Sequence, residues 1–431
     1  MGVIGGSKLL TEGKTKKIWE GETREQVVVE SKNDLTAGDG AKHDIVVGKA
    51  SLSNRTASNV FRLLKACGLP VAFIEEIDEI RFLAEQCDMI PYEVVVRREA
   101  HGSFLKRQPE VPKGHLFPHL ILEYFLKTSG KLWKDNVLPK DDPMVRFGGE
   151  EDFGDENASL YLPDQPIRGQ TPFLILKDFP LRKSQEKLKN IDDIAIKTFL
   201  ILEKAWQIAG KRLVDLKMEF GINAGGYLRL ADVIDNDSWR VLDDGKYIDK
   251  QLYREGADLY EVTAKYQMVA KLTENFGLPI QRLILWCASK SDGLPFGEAL
   301  EAYKVEESCL VKAVTCSLHK EPVRAYEEII KLVQDVPDSV VIVYVGRSNG
   351  AGPTLSAQIS APVITVPAIW KDFPEDVWSS LRTPSETPVA TILDPKNAVL
   401  MALQILAMRN PWLYAKIRIK QEKRLCNIIR I

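Results

Sequence analysis

The sequence has few of the residues from which metal centres and redox sites are built. Its 431 residues include only 5 histidines and 6 cysteines. No two cysteines form a C-x-x-C pair, which excludes a locally built zinc ribbon and a dithiol redox motif. The cysteines are Cys67, Cys87, Cys287, Cys309, Cys316 and Cys426. We therefore expect reduced thiols in a cytoplasmic protein.

The chain also lacks an excess of charge of one sign and any long apolar run. Lysine and arginine number 58 against 60 acidic residues, a formal charge of −2. This balance excludes a globally basic nucleic-acid binder, so any phosphate site must be local. No stretch reaches the ~18 apolar residues of a membrane span, and the first residues lack the apolar region of a secretory signal. We expect a protein that binds neither nucleic acid nor a membrane.

The length predicts two or three domains, and the composition changes twice along the chain. Short β-branched runs at 27–31 and 93–97 accompany a long helical pattern at 48–68, which indicates an α+β domain. Prolines and acidic residues at about 130–185 predict an irregular insertion. Helical periodicity returns at 191–210 and 258–277. We assign this domain to residues 1–265 and a linker to 266–279.

The remainder, 280–431, has the alternation of a doubly wound α/β domain. Apolar runs at 282–287, 339–345 and 362–367, with a weaker one at 311–316, are separated by helical stretches. This pattern predicts a parallel, flavodoxin-like sheet. The end of the chain predicts a basic amphipathic helix that packs on its own core or on a neighbouring subunit.

Alternation at the start of the segment 213–235 places Asp215, Lys217 and Glu219 on one face of a strand. If Gly225-Gly226 forms a two-residue turn, Glu219 lies opposite Asp232. Two facing carboxylates repel each other, and a hard cation such as Mg²⁺ would remove the repulsion. A solvated acidic face in another register is an equally good interpretation.

Two basic segments suit phosphate groups. In EGKTKK, Gly13 is followed by Lys14 and Lys16, a weak pattern that is also common in solvated turns. In VVVRREAHGSFLKR, a strand delivers arginines and lysines to a Gly-Ser turn, which favours an anion site over the alternative of structural ion pairs. The cations are Arg97, Arg98, Lys106 and Arg107. His101, in the same turn, is expected at the surface.

Three loops of the second domain follow predicted strands and should meet at one edge of the sheet. They are 288–292, 317–320 and 346–353. Ligands of open α/β sheets bind at this edge. Arg347 and Asp292 could hold a phosphoribosyl group, and His319 is the one histidine of the domain. Each loop alone could be a plain turn.

Taken together, these segments resemble a family of bifunctional enzymes of purine biosynthesis. The motifs EGKTK, RRxAxGSFLKR, KxEFG and ADVIDNDSWR resemble SAICAR synthetase, whereas GRSNGxGP and DVWSSLR resemble AIR carboxylase. The resemblance implies a two-lobed, ATP-grasp-like α+β synthetase followed by a flavodoxin-like carboxylase. It also implies a cytoplasmic homo-octamer that uses ATP and Mg²⁺ but no biotin.

The resemblance implies that AIR and CO₂ give CAIR, and that CAIR is then ligated to L-aspartate with ATP hydrolysis to give SAICAR. For the synthetase it implies that Lys14, Lys16 and Lys217 hold ATP, that Glu219 and Asp232 bind the metal, that Arg97, Ser103, Arg240 and Asp39 bind CAIR, and that Lys217 and Asp237 are catalytic. For the carboxylase it implies that Ser289, Asp292, Lys320, Arg347 and Ser348 bind AIR and CO₂, with His319 and Lys320 catalytic.

Several loop positions of the second domain depart from the family pattern. They are Ala288, Leu318, Glu321, Ala351 and Glu386. Side chains added to tight turns can displace catalytic groups. An active synthetase with a weak carboxylase kept as an oligomerisation scaffold is therefore the second hypothesis, and a phosphate-binding protein without turnover is the third.

Overall fold

The computed structural model describes residues 8–37, 42–128, 132–133, 136–139, 141–148, 157–177, 179–181, 185–290, 295–424 and 429–430. The chain forms two compact units. Unit 1 comprises residues 1–277 together with 419–431, and unit 2 comprises residues 278–418. Within these described ranges, no helix has both the length and the apolar character that a membrane crossing requires.

Unit 1 begins with a five-stranded antiparallel sheet against which one long helix packs. The sheet order is β1-β2-β3-β7-β6, and β4 pairs with β5 in a separate hairpin. The elements are β1 (Leu9–Glu12), β2 (Lys16–Glu20), β3 (Gln26–Ser31), β4 (Asp34–Ala37), β5 (Lys42–Ile45), α1 (Lys49–Ala66), β6 (Phe73–Glu76) and β7 (Arg81–Glu85). The predicted strand at 27–31 and the predicted helix at 48–68 are confirmed as β3 and α1.

A larger sheet forms the rest of unit 1. The elements of this part, in which β10 and β11 form a separate pair, are β8 (Cys87–Glu99), α2 (Phe104–Arg107), β9 (Leu116–Leu126), β10 (Leu132–Trp133), β11 (Asn136–Val137), β12 (Met144–Phe147), β13 (Ala158–Tyr161), β14 (Leu174–Leu176), α3 (Gln185–Ile208), β15 (Arg212–Asn223), β16 (Leu228–Ala231), β17 (Trp239–Asp243), β18 (Lys246–Tyr247), α4 (Gln251–Arg254) and α5 (Leu259–Thr273). The main path is β14-β13-β12-β9-β8-β15-β17-β18, and β16 pairs with β15.

The long central strands of this sheet bury apolar side chains on one face, whereas β15 carries charged side chains on the other. Val94 and Val96 of β8 are 1% and 0% exposed, and Trp206 of the covering helix α3 is 0% exposed. The insertion at 130–185, predicted to be irregular, contributes β12, β13 and β14 to this sheet. Strands of three or four residues between prolines give too short an alternation to be predicted.

Two predicted boundaries differ from the structure. Helix α5 extends to Thr273, so residues 266–273 of the predicted linker are helical. The segment 419–431, assigned from sequence to the second domain, belongs to unit 1. There the Glu422 carboxylate accepts hydrogen bonds from Arg98 Nη2 and from the Leu120 backbone N–H, both at 3.1 Å. Residues Ile429–Arg430 pair in parallel with β9.

Unit 2 is a parallel sheet with helices on both faces, as predicted. Its order is β20-β19-β21-β22-β23. The elements are β19 (Arg282–Cys287), α6 (Gly297–Ala302), a 3₁₀ helix (Val305–Glu307), β20 (Leu310–Thr315), α7 (Pro322–Asp335), β21 (Ser339–Val345), α8 (Ala351–Ser356), β22 (Val363–Pro367), a second 3₁₀ helix (Pro374–Val377), α9 (Trp378–Leu381), β23 (Ala390–Thr391), α10 (Pro395–Ala407) and α11 (Pro411–Arg424), whose residues from 419 onward belong to unit 1. The short strand β24 (Ile429–Arg430) also belongs to unit 1.

Successive side chains of β19 enter opposite cores, which explains its uninterrupted apolar sequence. Leu283 and Leu285 pack with α6, α10 and α11, whereas Ile284 and Trp286 pack with α7 and α8. Because all strand pairs of this sheet are parallel, the loops after β19, β20 and β21 lie at one edge.

Gly352 of α8 provides a test of how closely unit 2 is packed. A Cβ at this position would overlap the Thr365 methyl group and lie 3.2 Å from Thr365 Cβ and 3.9 Å from Val343 Cβ. We predict that Gly352→Ala destabilises unit 2 by about 1–3 kcal/mol because the core cannot expand. Urea unfolding of the full-length protein measures the loss, with hydrogen exchange of the β21 and β22 amides assigning it to unit 2.

The matched control is Gly297→Ala, since Gly297 is also helical and no atom lies within 4 Å of its added Cβ. This variant should leave stability unchanged or raise it by up to about 1 kcal/mol. Equal effects of the two substitutions would contradict the packing argument.

Candidate functional site

Strand β15 places its alternate polar side chains on one face of the larger sheet, as the sequence predicts. Asp215 lies opposite Arg97 of β8 and also opposite Arg240 of β17. Glu219 lies opposite Glu93 of β8. Both β15 carboxylates are buried, at 4% and 5% exposed. The face therefore carries two neighbouring groups of charges, one centred on Asp215 and one on Glu219.

Lysines neutralise the group around Glu219. Lys217 Nζ donates to Glu93 Oε1 at 3.0 Å and to Glu219 Oε1 at 2.9 Å. Lys127 Nζ donates to Glu219 Oε2 at 2.6 Å. Lys16, at the start of β2, forms an ion pair with Asp232. These six residues belong to five different strands or loops, so the fold assembles the group from distant parts of the sequence.

These contacts shift the pKa values of the cluster. Burial of Glu219 would raise its pKa, but Lys217, Lys127 and Lys16 outweigh burial and lower the pKa to about 2. Burial lowers the pKa of Lys16 to about 8, with Glu219 opposing the shift. For Lys217, Glu93 and Glu219 outweigh the effect of burial, so its pKa is raised. The Glu219 carboxylate therefore stays ionised at neutral pH.

The predicted hairpin register is wrong by one residue. Glu219 pairs with Ala231, not with Asp232, and Ile222 pairs with Leu228. The turn is longer than predicted because the Asn223 Oδ1 accepts a hydrogen bond from the Tyr227 N–H at 2.9 Å. Asp232 follows the strand with a left-handed φ of 61°. Within the described ranges, no group of three or more histidine, cysteine or acidic side chains has the geometry of a metal site.

The second group of charges surrounds Asp215. Its Oδ2 accepts hydrogen bonds from Arg97 Nη1 at 2.6 Å and from Arg240 Nη1 at 2.7 Å. Arg97 also pairs with the fully buried Glu123, which accepts a second hydrogen bond from Arg107 Nη2 at 2.5 Å. Both guanidinium groups next to Glu123 are therefore held by carboxylates.

Most of the cations that were predicted to form an anion site are paired with carboxylates instead. Arg98 pairs with Glu203 at 2.7 Å and with Glu422, so Arg97, Arg98 and Arg107 all have the structural role that the sequence left open. Ser103 is exposed at the start of α2, and Lys106 is exposed within it. The expectation of a surface histidine is wrong, because His101 is 4% exposed.

Asp237 lies in a separate buried cluster with one cation from α1 and one from the residue that precedes α4. Lys250 Nζ and Tyr266 OH donate to it at 3.1 and 2.9 Å, and Lys49 Nζ lies 3.8 Å away. Burial opposes ionisation of Asp237, but Lys49 and Lys250 prevail and lower its pKa to about 2. Lys14 is exposed in the turn between β1 and β2, whereas Asp39 lies outside the described residues.

In unit 2 the three predicted loops lie at the carboxyl edge of the parallel sheet. His319 and Lys320 are exposed after β20, and Arg347 and Ser348 are exposed after β21. Ser289 follows β19, and Asp292 lies outside the described residues. The loop after β21 is anchored by Asn349, whose Nδ2 donates to Ser380 Oγ at 2.8 Å.

Two departures from the family pattern have clear structural settings. Leu318 is 7% exposed and packs in the core with Ile284 and Trp286, so its side chain points away from solvent beside His319. Glu386 has a φ of 64°, a left-handed conformation that favours glycine. The turn keeps a glycine-like backbone without a glycine.

Comparison with known proteins covers both units. Residues 9–153 and 166–273 match the SAICAR synthetase family, and residues 283–425 match the AIR carboxylase family. The multifunctional protein ADE2 of Gallus gallus is 35% identical over 95% of this chain and 92% of its own length. The bifunctional phosphoribosylaminoimidazole carboxylase/phosphoribosylaminoimidazole succinocarboxamide synthetase of Mus musculus is 35% identical over 96% of this chain and 94% of its own.

The chain belongs to this bifunctional family. The resemblance seen in the sequence motifs is thereby confirmed, and the protein is an enzyme with a SAICAR synthetase part and an AIR carboxylase part. Among solved structures, the phosphoribosylaminoimidazole-succinocarboxamide synthase of Ehrlichia chaffeensis is 26% identical, with a TM-score of 0.50, and covers 62% of this chain and 98% of its own.

Sequence reasoning missed three members of the synthetase charge groups. Glu93, Glu123 and Lys127 contact predicted site residues directly. Alternation along β8 places Glu93 on the same face as Arg97, so this pattern could have predicted Glu93 as a member of the site. Glu123 and Lys127 come close to Arg97 and Glu219 only through the strand order β9-β8-β15, which the sequence pattern does not reveal.

Glu123 should be essential for the stability of the synthetase unit. Because it lies between Arg97 and Arg107, Glu123→Gln leaves the buried Arg107 guanidinium group without a balancing charge and leaves Arg97 with Asp215 alone. We predict a loss of about 3–5 kcal/mol in the free energy of unfolding, measured by urea denaturation. The control is Glu76→Gln, which removes a pair with the 52% exposed Arg62 and should cost at most about 1 kcal/mol. A small, equal loss in both variants would argue against the buried network.

Proposed function

We propose that the charged face of the larger sheet in unit 1 is the site where CAIR and L-aspartate are ligated with ATP. The observation that carries this proposal is the adjacency, on one strand, of a lysine–carboxylate group around Glu219 and an arginine–aspartate group around Asp215. The first suits a magnesium–nucleotide complex, and the second lies beside the Gly-Ser turn that suits a phosphate monoester.

The residues around Glu219 fit a nucleotide with its metal by the chemistry of their donors. Glu219 and Asp232 would bind Mg²⁺, which takes one or two carboxylates together with phosphate oxygens. Bound Mg²⁺ supplies neutralisation of the charge that develops during phosphoryl transfer. The ammonium groups of Lys14, Lys16 and Lys217 would hold the phosphates. In the structure Lys16 and Lys217 pair with the carboxylates, so nucleotide binding exchanges one set of ionic partners for another.

The remaining synthetase roles concern CAIR and L-aspartate. Arg240 and Ser103 would contact the CAIR phosphate. Arg97 would orient Asp215 through its hydrogen bond to the Asp215 carboxylate. In the ligation, the CAIR carboxylate accepts the γ-phosphoryl group, and the L-aspartate amine displaces phosphate from the acyl phosphate to form the amide. We assign Asp237 to catalysis and Asp39 to the CAIR site because both lie in segments that match the SAICAR synthetase family.

We propose that the loops at the carboxyl edge of unit 2 bind AIR and CO₂. Ser289, Asp292, Arg347 and Ser348 would hold the phosphoribosyl group, and Lys320 would position CO₂. His319 would remove the proton from carbon 4 of AIR after the new carbon–carbon bond forms. The exposure of His319 and Lys320 at the sheet edge supports this arrangement.

We further propose a cytoplasmic homo-octamer that binds neither nucleic acid nor a membrane. Support for assembly comes from apolar side chains at the surface of unit 2, where Phe373, Trp378 and Leu381 are 47%, 51% and 54% exposed. Light scattering of the full-length protein measures the number of subunits, and a monomer would reject the octamer.

Paired substitutions should separate the two activities. Asp232→Asn should lower ATP-dependent ligation of CAIR to L-aspartate by roughly a hundredfold or more, because it removes a metal ligand, while carboxylation of AIR stays unchanged. His319→Ala should lower CAIR formation from AIR and bicarbonate by roughly 10²–10⁴-fold and leave ligation unchanged. Chelation with EDTA should abolish the first reaction only.

Matched controls are Asp243→Asn, which removes a carboxylate paired with Lys211 away from the proposed site, and Lys331→Ala on α7. Both control variants should ligate CAIR and carboxylate AIR at the rates of the unsubstituted protein. Full ligation by Asp232→Asn would reject the metal role. If the unsubstituted protein forms no CAIR from AIR, the hypothesis of a carboxylase part kept as a scaffold replaces the two-activity proposal.

A further inference from the structure

His101 is a buried histidine in the turn that leads to Ser103. Its Nδ1 shares a hydrogen bond of 2.6 Å with the hydroxyl group of Tyr247 in β18. Its Nε2 lies 3.4 Å from Glu99 Oε2, and because a carboxylate only accepts, this contact favours the tautomer with the proton on Nε2 and with Nδ1 as the acceptor from the tyrosine. The two rings also pack edge to face, with centroids 5.7 Å apart. Burial raises the pKa of Tyr247 to about 12, which keeps the phenol available as the donor.

The next residue, Gly102, packs directly against Arg240. Its φ is +60°, and a Cβ built on it would overlap the Arg240 guanidinium group, closest to Nη2. No residue with a side chain can approach that group so closely. The turn backbone therefore forms one wall around Arg240, and Ser103 follows immediately with its side chain exposed.

Arg240 is held on its other sides by side chains. Nη1 donates to Asp215 at 2.7 Å, and Nε donates to Gln251 Oε1 at 3.4 Å. A displacement of the turn would change the separation between Ser103 and Arg240 without breaking these two contacts. The distance between the two groups thus depends on what fixes the turn.

We propose that His101 is a positioning residue for the phosphate group of CAIR: its hydrogen bond to Tyr247 holds the Gly102-Ser103 turn against Arg240. The inference rests on the proposed function, in which Ser103 and Arg240 contact that phosphate. A phosphate monoester needs donors at a fixed separation, and an error of about 1 Å can be costly. The helix α2 that follows the turn has four residues and gives little rigidity of its own.

The test compares steady-state constants of full-length variants for ligation. His101→Ala and Tyr247→Phe should each raise the KM for CAIR roughly tenfold, with the KM for ATP within about twofold of the unsubstituted value. His101→Asn should restore the KM for CAIR, because its Oδ1 can accept the same hydrogen bond that Nδ1 accepts. The double variant should be no worse than the poorer single variant, since both remove one interaction.

Other outcomes would overturn the inference. The first is a KM for CAIR that is as high in His101→Asn as in His101→Ala. The second is a joint rise of the KM values for CAIR and ATP. The third is a double variant whose KM for CAIR rises by the product of the two single increases. Tyr247→Phe removes only a hydroxyl group and keeps the ring, so it provides the measurement if His101→Ala does not fold. Tyr227→Phe, at a 66% exposed tyrosine, is the matched control and should change no constant.

Two further variants separate this inference from the proposed function. Ser103→Ala and Arg240→Lys should raise the KM for CAIR whether or not His101 matters. If they do so and His101→Ala does not, the positioning role is wrong while the phosphate site stands. If neither changes the KM for CAIR, the proposed phosphate site itself is wrong.

Discussion

Strand β15 brings three ionised side chains to one largely buried face of a sheet, and the structure around it balances each charge in place. Asp215 is balanced by Arg97 and Arg240, and Lys217 by Glu93 and Glu219. Removing ions from water is so costly that each must have a partner with good geometry. This requirement fixes the register of β8 and β17 against β15, since a slip by one residue would leave charges facing apolar side chains.

The same balancing gives the synthetase part a charged surface that is ready for a polyanion. An isolated cluster of lysines would repel itself and spread apart, whereas carboxylates between the lysines hold them close together. At the proposed nucleotide site, phosphate groups would meet cations at set positions, and these cations would have to release their carboxylate partners. Such binding would be an exchange of ion pairs, which limits the net gain in affinity and favours specificity over strength.

Features of the fold could be predicted from the sequence where they depend on a local pattern of residues. Alternation in β15 predicted which of its side chains share a face, and the apolar runs predicted the parallel sheet of the carboxylase part. Alternation could not settle the hairpin register, because the Asn223 side chain lengthens the turn. Alternation also could not predict that Glu123 pairs with Arg97 and Glu422 with Arg98, because these residues are distant in sequence. The strand order brings the first pair together, and the position of residues 419–424 brings the second pair together. Burial of His101 was missed for the same reason, since Tyr247 lies 146 residues away.

The return of residues 419–430 to the synthetase part has a consequence for the order of folding. Glu422 satisfies both Arg98 and the backbone of Leu120, and Ile429–Arg430 adds a strand beside β9. These residues leave the ribosome only after residues 278–418 have been made. Domains generally fold as they emerge, yet this one cannot complete its sheet until the domain that follows it has been translated. During synthesis the edge of β9 and the Arg98 guanidinium group thus lack these partners, and the completed synthetase part forms only after translation of both enzymes.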